Sequence, residues 1–348
     1  MFKEFQLISK FIECFMIIKN NIPFEYSDYV LKSRFLKIAE NQNWLSLKKI
    51  MLAVSGGGDS TALAWFFHKY YDGEFIIVHV NHLLRGEDAF KDENFVSDLA
   101  REMNVEFIPV VIDVNNNKLK GESTETAARR IRHSEFVRIA NENNIDGVAL
   151  GHNRDDLAET VLFNILRGSG IRGAVGIPET NVIEGVKFFR PLLSFRRDFL
   201  RKFLEYRGLK WCEDYTNQEG IYTRNFIRLE LLPLISEKIN SNAIEHLAEF
   251  AEDMRPVRSD EELKSVNLLE NAKITDLKFD AKKIRKFSDK ERNLIIRELG
   301  RELKLTTLSR NRCDELSRLL SKTEPFIFQW CGGCNIESKG GFINVKIS

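Results

Sequence analysis

The chain has 348 residues, of which 43% are hydrophobic and 30% are charged, and its formal net charge is +1. A chain of this length exceeds one average domain and has enough apolar side chains for packed cores. A net charge so close to zero neither requires nor excludes nucleic acid as a partner, so RNA binding would depend on a local basic surface. The five cysteines are irregularly spaced, which does not resemble the disulfide framework of a secreted protein.

Residues 1–47 are predicted to form an N-terminal helical extension. The first twenty residues are apolar but are interrupted by the charged side chains Lys3, Glu4, Lys10 and Glu13. This pattern favours an amphipathic helix, with a membrane-surface anchor as the alternative, and it lacks a signal-peptide core and cleavage site. No apolar run reaches the roughly 18 residues needed to span a bilayer. The expected compartment is therefore the cytoplasm, and no membrane partner is expected.

Residues 48–240 are predicted to form an α/β domain in which short apolar runs alternate with amphipathic segments. The predicted strands are Ile50–Val54, Phe75–Val80, Glu106–Ile112 and Gly147–Leu150, and the predicted helices include Ser60–Tyr71, Asp92–Met103 and Thr124–Glu142. This alternation is typical of βαβ units, so we expect a parallel, Rossmann-like sheet. Ligands of such sheets bind at the carboxyl ends of the strands.

Residues 241–348 are predicted to form a smaller, mostly helical C-terminal domain. Its predicted helices are Ala243–Met254, Asp289–Lys304 and Ser309–Ser321, and its strand-like runs are Phe326–Trp330 and Phe342–Ile347. The only close cysteine pair, Cys331 and Cys334, lies between those two runs. Without a second pair to complete four ligands, an incidental pair is favoured over a zinc or cluster site.

A glycine-rich hexapeptide follows the first predicted strand. Its residues are Ser55, Gly56, Gly57, Gly58, Asp59 and Ser60. Glycines allow close backbone approach to an anion, and the amides at the start of the next helix attract phosphate. The loop is therefore predicted to bind ATP, although a structural turn with Asp59 or Ser60 as helix cap is the alternative. Because no Walker lysine follows, Mg²⁺ is expected to neutralise the phosphates, with Asp59 as its ligand.

Polar residues also follow the second and fourth predicted strands. His79 and His82 near the second strand would line a nucleotide or serve as ordinary strand-end residues, and the sequence leaves this open. After the fourth strand, Asp156 is a candidate catalytic carboxylate, but Asp156 and Glu159 also have the spacing of a capping box. His152 would hydrogen-bond Asp156 or a phosphate; structural packing or, with Asp156, metal binding are the alternatives.

Three arginines lie close together in the first half of the predicted helix Thr124–Glu142. Arg129 and Arg132 are three residues apart and share a face, whereas Arg130 points away. Arg132 is the candidate for stabilising negative charge that develops during a reaction. A solvated salt-bridge face, with Glu125 pairing to Arg129, is the alternative.

The hexapeptide resembles the loop of the PP-loop ATP pyrophosphatases, and further segments resemble the tRNA(Ile)-lysidine synthetase family within them. These segments are VHVNHLLRG at 78–86, TETAARRIR at 124–132, GHNRDDLAET at 151–160, LRGSGIRGAVGIP at 166–178, RPLL at 190–193 and WCEDYTNQEGIYTRNFIRLELLP at 211–233. The resemblance extends from residue 48 to about 235, and the last hundred residues add little to it.

This resemblance implies a two-step reaction on the isoleucine tRNA that has a CAU anticodon. ATP would adenylate the C2 oxygen of the wobble cytidine, and the ε-amine of free L-lysine would then displace AMP. The implied catalytic residues are Asp59, Arg132, His152 and Asp156, with ATP and Mg²⁺ as cofactors. The C-terminal domain would contact the tRNA. The oligomeric state stays open, with a homodimer as one candidate.

Five residues are predicted to contact tRNA. They are Arg167, Arg172, Arg224, Asn225 and Arg228. Arg224 and Arg228 have helical spacing that suits phosphate contacts, and Arg167 and Arg172 border glycines that would let them approach a displaced base. A solvated basic face is the alternative.

The sequence departs from the family pattern at three positions and leaves two rival functions. Leu157 replaces the usual glutamine, which would alter contacts with a bound base; His133 replaces an aromatic residue, and Gly58 an apolar one.

One rival is a tRNA-thiolating PP-loop enzyme, but no cysteine pair lies near the loop in sequence. The other is a non-catalytic, ATP-sensing RNA-binding protein, which would not need Asp59, Arg132 and Asp156 together.

Overall fold

The computed structural model describes residues 23–81, 87–114, 116–119, 121–213, 223–330 and 332–347, with only the backbone of 87–89. The predicted helix at the N-terminus, His82 and Cys331 lie outside these residues. The chain divides into two compact units, Met1–Ala251 and Glu252–Ser348, each with its own core. The division falls after Ala251, within the helix Ala243–Ala272, and not near residue 240 as predicted.

A six-stranded sheet organises the first unit. Its strands are β1 Lys49–Ala53, β2 Glu74–Asn81, β3 Phe107–Val111, β4 Gly147–Leu150, β5 Thr180–Ile183 and β6 Val186–Phe189, in the order β3-β2-β1-β4-β6-β5. All neighbouring pairs are parallel except β5 and β6, which form an antiparallel hairpin at one edge. The predicted parallel, Rossmann-like sheet is confirmed, and the hairpin was not predicted.

Helices connect these strands and lead into the second unit. They are α1 Asp28–Asn41, α2 Gly58–Tyr70, α3 Glu87–Glu102, α4 Thr124–Glu142, α5 Arg154–Leu166, α6 Ile171–Ala174, α7 Arg197–Tyr206, α8 Thr223–Phe226, α9 Leu232–Lys238 and α10 Ala243–Ala272. A π-helical turn, Ile227–Leu231, joins α8 to α9. Such turns are rare and often occur at functional sites.

The central strand β1 is buried on both faces, as expected for a parallel sheet covered by helices. Ile50 and Leu52 belong to one hydrophobic cluster, and Met51, between them, belongs to the cluster on the opposite face. None of the three is exposed. The continuous apolar run that predicted this strand therefore reflects burial on both sides.

The described part of the predicted N-terminal extension packs into the core of the first unit. Leu31, Phe35 and Ala39 recur every four residues along α1 and are fully buried, and Ser27 accepts a hydrogen bond from the Val30 amide to cap the helix. Trp44 stacks on Phe67 at 5.3 Å between ring centroids. These residues thus belong to the first unit's core.

The second unit combines helices with a five-stranded antiparallel sheet. Its elements after α10 are β7 Lys273–Thr275, β8 Lys278–Asp280, α11 Ala281–Lys286, α12 Asp289–Glu302, α13 Arg310–Ser321, β9 Phe326–Trp330, β10 Cys334–Lys339 and β11 Phe342–Ile347. The sheet order is β7-β8-β11-β10-β9. Both predicted strands are present. The strands β7, β8 and β10 were not predicted, because β7 and β8 have only three residues each and β10 is rich in polar residues. No helix in the described ranges is long and apolar enough to cross a membrane.

Candidate nucleotide and catalytic site

The loops after β1 and β4 meet at the carboxyl edge of the sheet. These strands are neighbours at the point where the strand order reverses, which is where open α/β sheets bind ligands. Gly151 follows β4, and a Cβ atom there would lie 3.3 Å from Ser60 Cα and 3.4 Å from Ser60 N. This contact is tighter than ordinary packing, so the glycine allows the two loops to touch.

The glycine-rich loop is held in shape by its own polar groups. Gly56 has φ +94°, a conformation that favours glycine. The Ser60 hydroxyl donates to Gly57 O at 2.9 Å and accepts from Ser55 N at 3.1 Å. Gly56 O accepts from Thr61 Oγ1 at 3.3 Å and from Cys212 N at 2.9 Å. Ser60 therefore has a structural role inside the loop.

Helix α2 begins at Gly58, two residues before the predicted start. Among the described residues, none accepts a hydrogen bond from the amides of Gly57, Gly58 or Asp59. Unpaired amides at the start of a helix attract anions, because they add to the positive end of the helix dipole. A side chain at Gly58 would meet Trp211 at 3.6 Å, an ordinary contact, so the departure at this position leaves spare room.

Asp59 lies in the first turn of α2 with an unsatisfied oxygen. Its Oδ1 is buried and has no hydrogen-bond partner among the residues that the structure describes, and its Oδ2 lies 3.8 Å from Arg197 Nε. Burial raises the pKa of Asp59 more than Arg197 lowers it, and nearby Asp156 adds to the rise. A buried carboxylate in this state fits a cation. No cluster of three or more metal-binding side chains occurs in the described part of the chain, so phosphate oxygens would have to complete a metal site.

Asp156 has both a capping contact and an ionic contact. The capping box of α5 pairs Asn153 with Asp156, rather than Asp156 with Glu159 as one alternative held. Asp156 Oδ2 accepts from Asn153 N at 3.0 Å, and Oδ1 accepts from Arg197 Nη2 at 2.9 Å. Burial would raise the pKa of Asp156, but the charge of Arg197, together with the hydrogen bond from the Asn153 amide and the charge of Arg224, outweighs it and holds the pKa below its usual value.

Asp59, Asp156 and Glu159 form an acidic cluster around Arg197. Glu159 and Arg197 were not predicted as site residues. Arg197 Nη2 lies 3.1 Å from Glu159 Oε1, in addition to its contacts with Asp59 and Asp156. Glu159 is only 2% exposed and also faces Arg224 Nε at 3.7 Å and Arg228 Nε at 3.6 Å. The sequence pattern identified Glu159 only as a capping partner and did not single out Arg197. Glu159 lies three residues after Asp156, which places both carboxylates on one face of a helix, and this spacing was the signal that could have identified Glu159.

The neighbouring Asp155 fixes Arg197 through the backbone. Asp155 Oδ2 accepts from the Arg197 amide at 2.8 Å and from Arg196 Nε at 3.1 Å. This carboxylate therefore caps the start of α7, where Arg196 is the N-cap residue. Two adjacent arginines thus have different partners: Arg196 pairs with Asp155 and Glu245, and Arg197 pairs with the acidic cluster.

Arg129 and Arg132 form a basic group near the acidic cluster. Burial lowers the pKa of Arg132, and the charges of Arg129 and Arg224 lower it further. Among the described residues, neither the Arg129 nor the Arg132 side chain has a hydrogen bond or an ion pair within 4 Å. Arg130 instead pairs with Glu122 at 2.8 Å. Unpaired, mutually repelling guanidinium groups are suited to binding an anion.

The two described histidines of the predicted set differ in their surroundings. Burial is the main reason that the pKa of His152 falls to about 3, so this imidazole is neutral at pH 7. Its Nδ1 is buried and has no hydrogen-bond partner in the described structure. His79 is also buried, and its Nδ1 lies 2.9 Å from Val54 O, which gives it a structural contact between β2 and the end of β1.

Two departures from the family pattern now have physical explanations. Leu157 is fully buried in a cluster with Val161, Leu193, Ala248 and Ala251. The expectation that Leu157 alters contacts with a bound base is therefore wrong, because its face of α5 points into the core. The His133 ring stacks on Phe188 at 5.6 Å, the packing expected of an aromatic residue.

Replacing His133 with phenylalanine should flatten the acid limb of the stability curve. Burial and nearby arginines lower the pKa of His133 from 6.5 to about 4. Between these values the unfolded chain binds a proton that the folded chain does not, so stability falls as the pH drops through this window. Denaturant unfolding from pH 7 to pH 4 should show a smaller loss for His133→Phe; an unchanged slope would contradict this assignment.

The residues predicted to contact tRNA fall into two places. Arg224 and Arg228 lie beside Glu159 in the acidic cluster, with the partly exposed Asn225 between them in sequence. Arg167 is exposed at the end of α5, with its guanidinium 5.0 Å from the Phe163 ring centroid, and Arg172 lies in the short helix α6. Only Arg167 and Arg172 thus lie away from the carboxylates.

A family profile described as the PP-loop domain matches residues 28–235. The match covers more than half of the chain and includes the glycine-rich loop, the acidic cluster and the basic group. The chain belongs to the PP-loop family. Membership accounts for the ATP-binding loop of this PP-loop protein and for its Rossmann-like sheet.

Curated relatives of this PP-loop protein share one name. The tRNA(Ile)-lysidine synthase of Clostridium perfringens is 38% identical over 218 residues, which cover 62% of this chain and 46% of the relative. The protein of the same name from Bacteroides thetaiotaomicron is 36% identical over 234 residues, which cover 66% of this chain and 53% of the relative. The chain thus spans about half the length of the curated relatives it matches.

A solved structure also resembles this PP-loop protein. The U34-tRNA thiolase NcsA from Methanococcus maripaludis with its 4Fe-4S cluster has a TM-score of 0.53 and 20% sequence identity. The likeness covers 64% of this chain and 78% of that chain. At this identity it concerns the fold alone.

Proposed function

We propose that this protein converts the wobble cytidine of an isoleucine tRNA with a CAU anticodon to lysidine, using ATP and free L-lysine. The observation that carries the proposal is the contact between two chemically different groups at one sheet edge. Unpaired amides at the start of α2 suit the phosphates, and Asp156 and Glu159 on α5, the helix that follows the adjoining strand β4, suit an amine. The name shared by the curated relatives supports the choice of substrates.

In the first step, Ser55–Ser60 would hold the ATP phosphates and Arg132 would stabilise the charge that develops at the cytosine oxygen or α-phosphate. Mg²⁺ would be held by Asp59, whose buried Oδ1 has no other partner, together with phosphate oxygens. When bound, the metal would neutralise phosphate charge that no Walker lysine covers. His152, which is neutral at pH 7, would be available to hydrogen-bond Asp156 or a phosphate.

In the second step the attacking amine must be neutral. The ε-amine of lysine has a pKa of about 10.4, so roughly one molecule in 10³ is neutral at pH 7. Asp156 and Glu159 would bind the ammonium end of lysine beside the activated carbon. Glu159, whose pKa is raised by burial, would accept the ammonium proton, and the neutral amine would then attack C2 and displace AMP. Because its pKa is held low, Asp156 suits ion pairing with the ammonium group better than removal of its proton.

We propose that Arg167 and Arg172 contact the tRNA backbone, since they lie away from the carboxylates. Arg167→Ala should weaken tRNA binding and reduce the slope of log affinity against log salt by about one, as expected for one lost phosphate contact. Filter binding across a salt series measures this. Arg138→Ala is the matched control, because Arg138 pairs with Glu135 and Glu142 on the surface of α4; an unchanged slope for Arg167→Ala would place the tRNA elsewhere.

The function is tested by following labelled ATP in the presence of tRNA, with lysine or a sulfur donor in separate reactions. AMP release that depends on lysine supports the proposal. Release only with the sulfur donor would instead favour the thiolating alternative, and no turnover in either reaction would favour an ATP-sensing RNA-binding protein.

A further inference from the structure

One guanidinium group lies among all three carboxylates of the acidic cluster. Arg197 is 2.9 Å from Asp156, 3.1 Å from Glu159 and 3.8 Å from Asp59. Its side chain is 12% exposed, so little solvent screens these contacts. The guanidinium therefore provides the positive charge that the buried carboxylates require.

The same carboxylates include the group proposed to hold the metal. A divalent cation at Asp59 would add two positive charges beside the Arg197 guanidinium, and like charges at such short distances in a partly buried site repel strongly. The Arg197 Nε, the atom nearest Asp59, makes no hydrogen bond in the described structure. Its contact with Asp59 is therefore ionic and can break without the loss of a hydrogen bond. The Nη2 contact with Glu159 offers an alternative partner that would remain.

We propose that Arg197 is a built-in counter-cation that pairs with Asp59 in the absence of metal and yields this carboxylate to Mg²⁺ while keeping its contacts with Asp156 and Glu159. This inference rests on the proposed function only in taking Asp59 as the metal ligand. It gives Arg197 a positioning role. The Arg197 guanidinium balances the charge of the acidic cluster when no metal is bound. The nucleotide-bound metal must displace this guanidinium from Asp59.

The consequence is that Arg197 competes with the metal for Asp59. Arg197→Met removes the charge while keeping much of the side-chain volume, so it should tighten Mn²⁺ binding about tenfold or more. Mn²⁺ is a paramagnetic substitute for Mg²⁺, and electron paramagnetic resonance of the full chain with a non-hydrolysable ATP analogue present measures the fraction of Mn²⁺ bound to the protein. The titration needs neither tRNA nor lysine, so it stays informative even where the proposed tRNA activity fails.

The adjacent arginine provides a matched control. Arg196→Met removes the same charge one residue earlier, but Arg196 pairs with Asp155 and Glu245, so Mn²⁺ affinity should stay near that of the unmodified chain. Arg197→Lys, which keeps the charge, should also stay near it. Should Arg197→Met fail to fold, Arg197→Gln removes the charge while keeping a hydrogen-bond donor for Asp156. A folded, uncharged variant at 197 that binds Mn²⁺ no more tightly than the unmodified chain would overturn the proposal.

Discussion

Asp59→Asn should abolish pyrophosphate release without destabilising the protein. The amide keeps the shape of the side chain but is a poor metal ligand, and metal-assisted charge neutralisation contributes several kcal/mol, so we expect a loss of at least about 10³-fold. The pKa of Asp59 is raised by burial, which means that folding disfavours its ionised form. A neutral side chain at 59 should therefore leave the melting temperature unchanged or higher.

The measurements are pyrophosphate release and thermal unfolding of the same preparation. Asp28→Asn is the control: Asp28 pairs with Arg207 at 2.7 Å in the same unit and has no assigned role in the site. That variant should lose stability and retain turnover, which is the reverse of the pattern for Asp59→Asn. Normal pyrophosphate release from Asp59→Asn would show that the assignment of Asp59 to the metal is wrong.

Asp156→Asn should separate the two steps of the reaction. Pyrophosphate release should continue, whereas the lysine-dependent step should slow by at least about 10²-fold, since a neutral amide cannot pair with the ammonium group of lysine. Stability should fall by about 1.5–3 kcal/mol, the usual cost of losing a hydrogen bond to a charged group. The lost contact is the one between Asp156 and Arg197.

Single-turnover experiments with labelled ATP and labelled lysine distinguish the steps, and denaturant unfolding gives the free energy of unfolding. Asp156 and Asp59 thus make opposite predictions for stability, which follow from the opposite directions of their pKa shifts. Loss of pyrophosphate release in Asp156→Asn would contradict the division of roles and assign Asp156 to the first step.

The parts of the site that sequence reasoning found are local in the chain. The hexapeptide Ser55–Ser60 and the polar run after β4 follow short apolar strands, and parallel strands bring such ends together at one edge. Spacing along α4 also separated the surface pair of Arg130 from the unpaired Arg129 and Arg132. Each of these features depends on residues a few positions apart, which periodicity can resolve.

The missed features depend on residues that are distant in the chain. Arg197 lies 41 positions from Asp156 and reaches it only because Asp155 caps α7. Leu157 and α1 illustrate the same limit, because only tertiary packing shows that they face the core. A periodic pattern identifies a helix but does not state which partner covers each face.

Incorporation of isotopically labelled lysine into tRNA tests the central claim most directly. The full chain, ATP, Mg²⁺ and an isoleucine tRNA with a CAU anticodon should yield tRNA whose nucleoside digest contains lysine bonded to one cytidine. Replacing the wobble cytidine by uridine in a matched tRNA should remove the label. Label-free tRNA from an otherwise folded, ATP-binding protein would contradict the account.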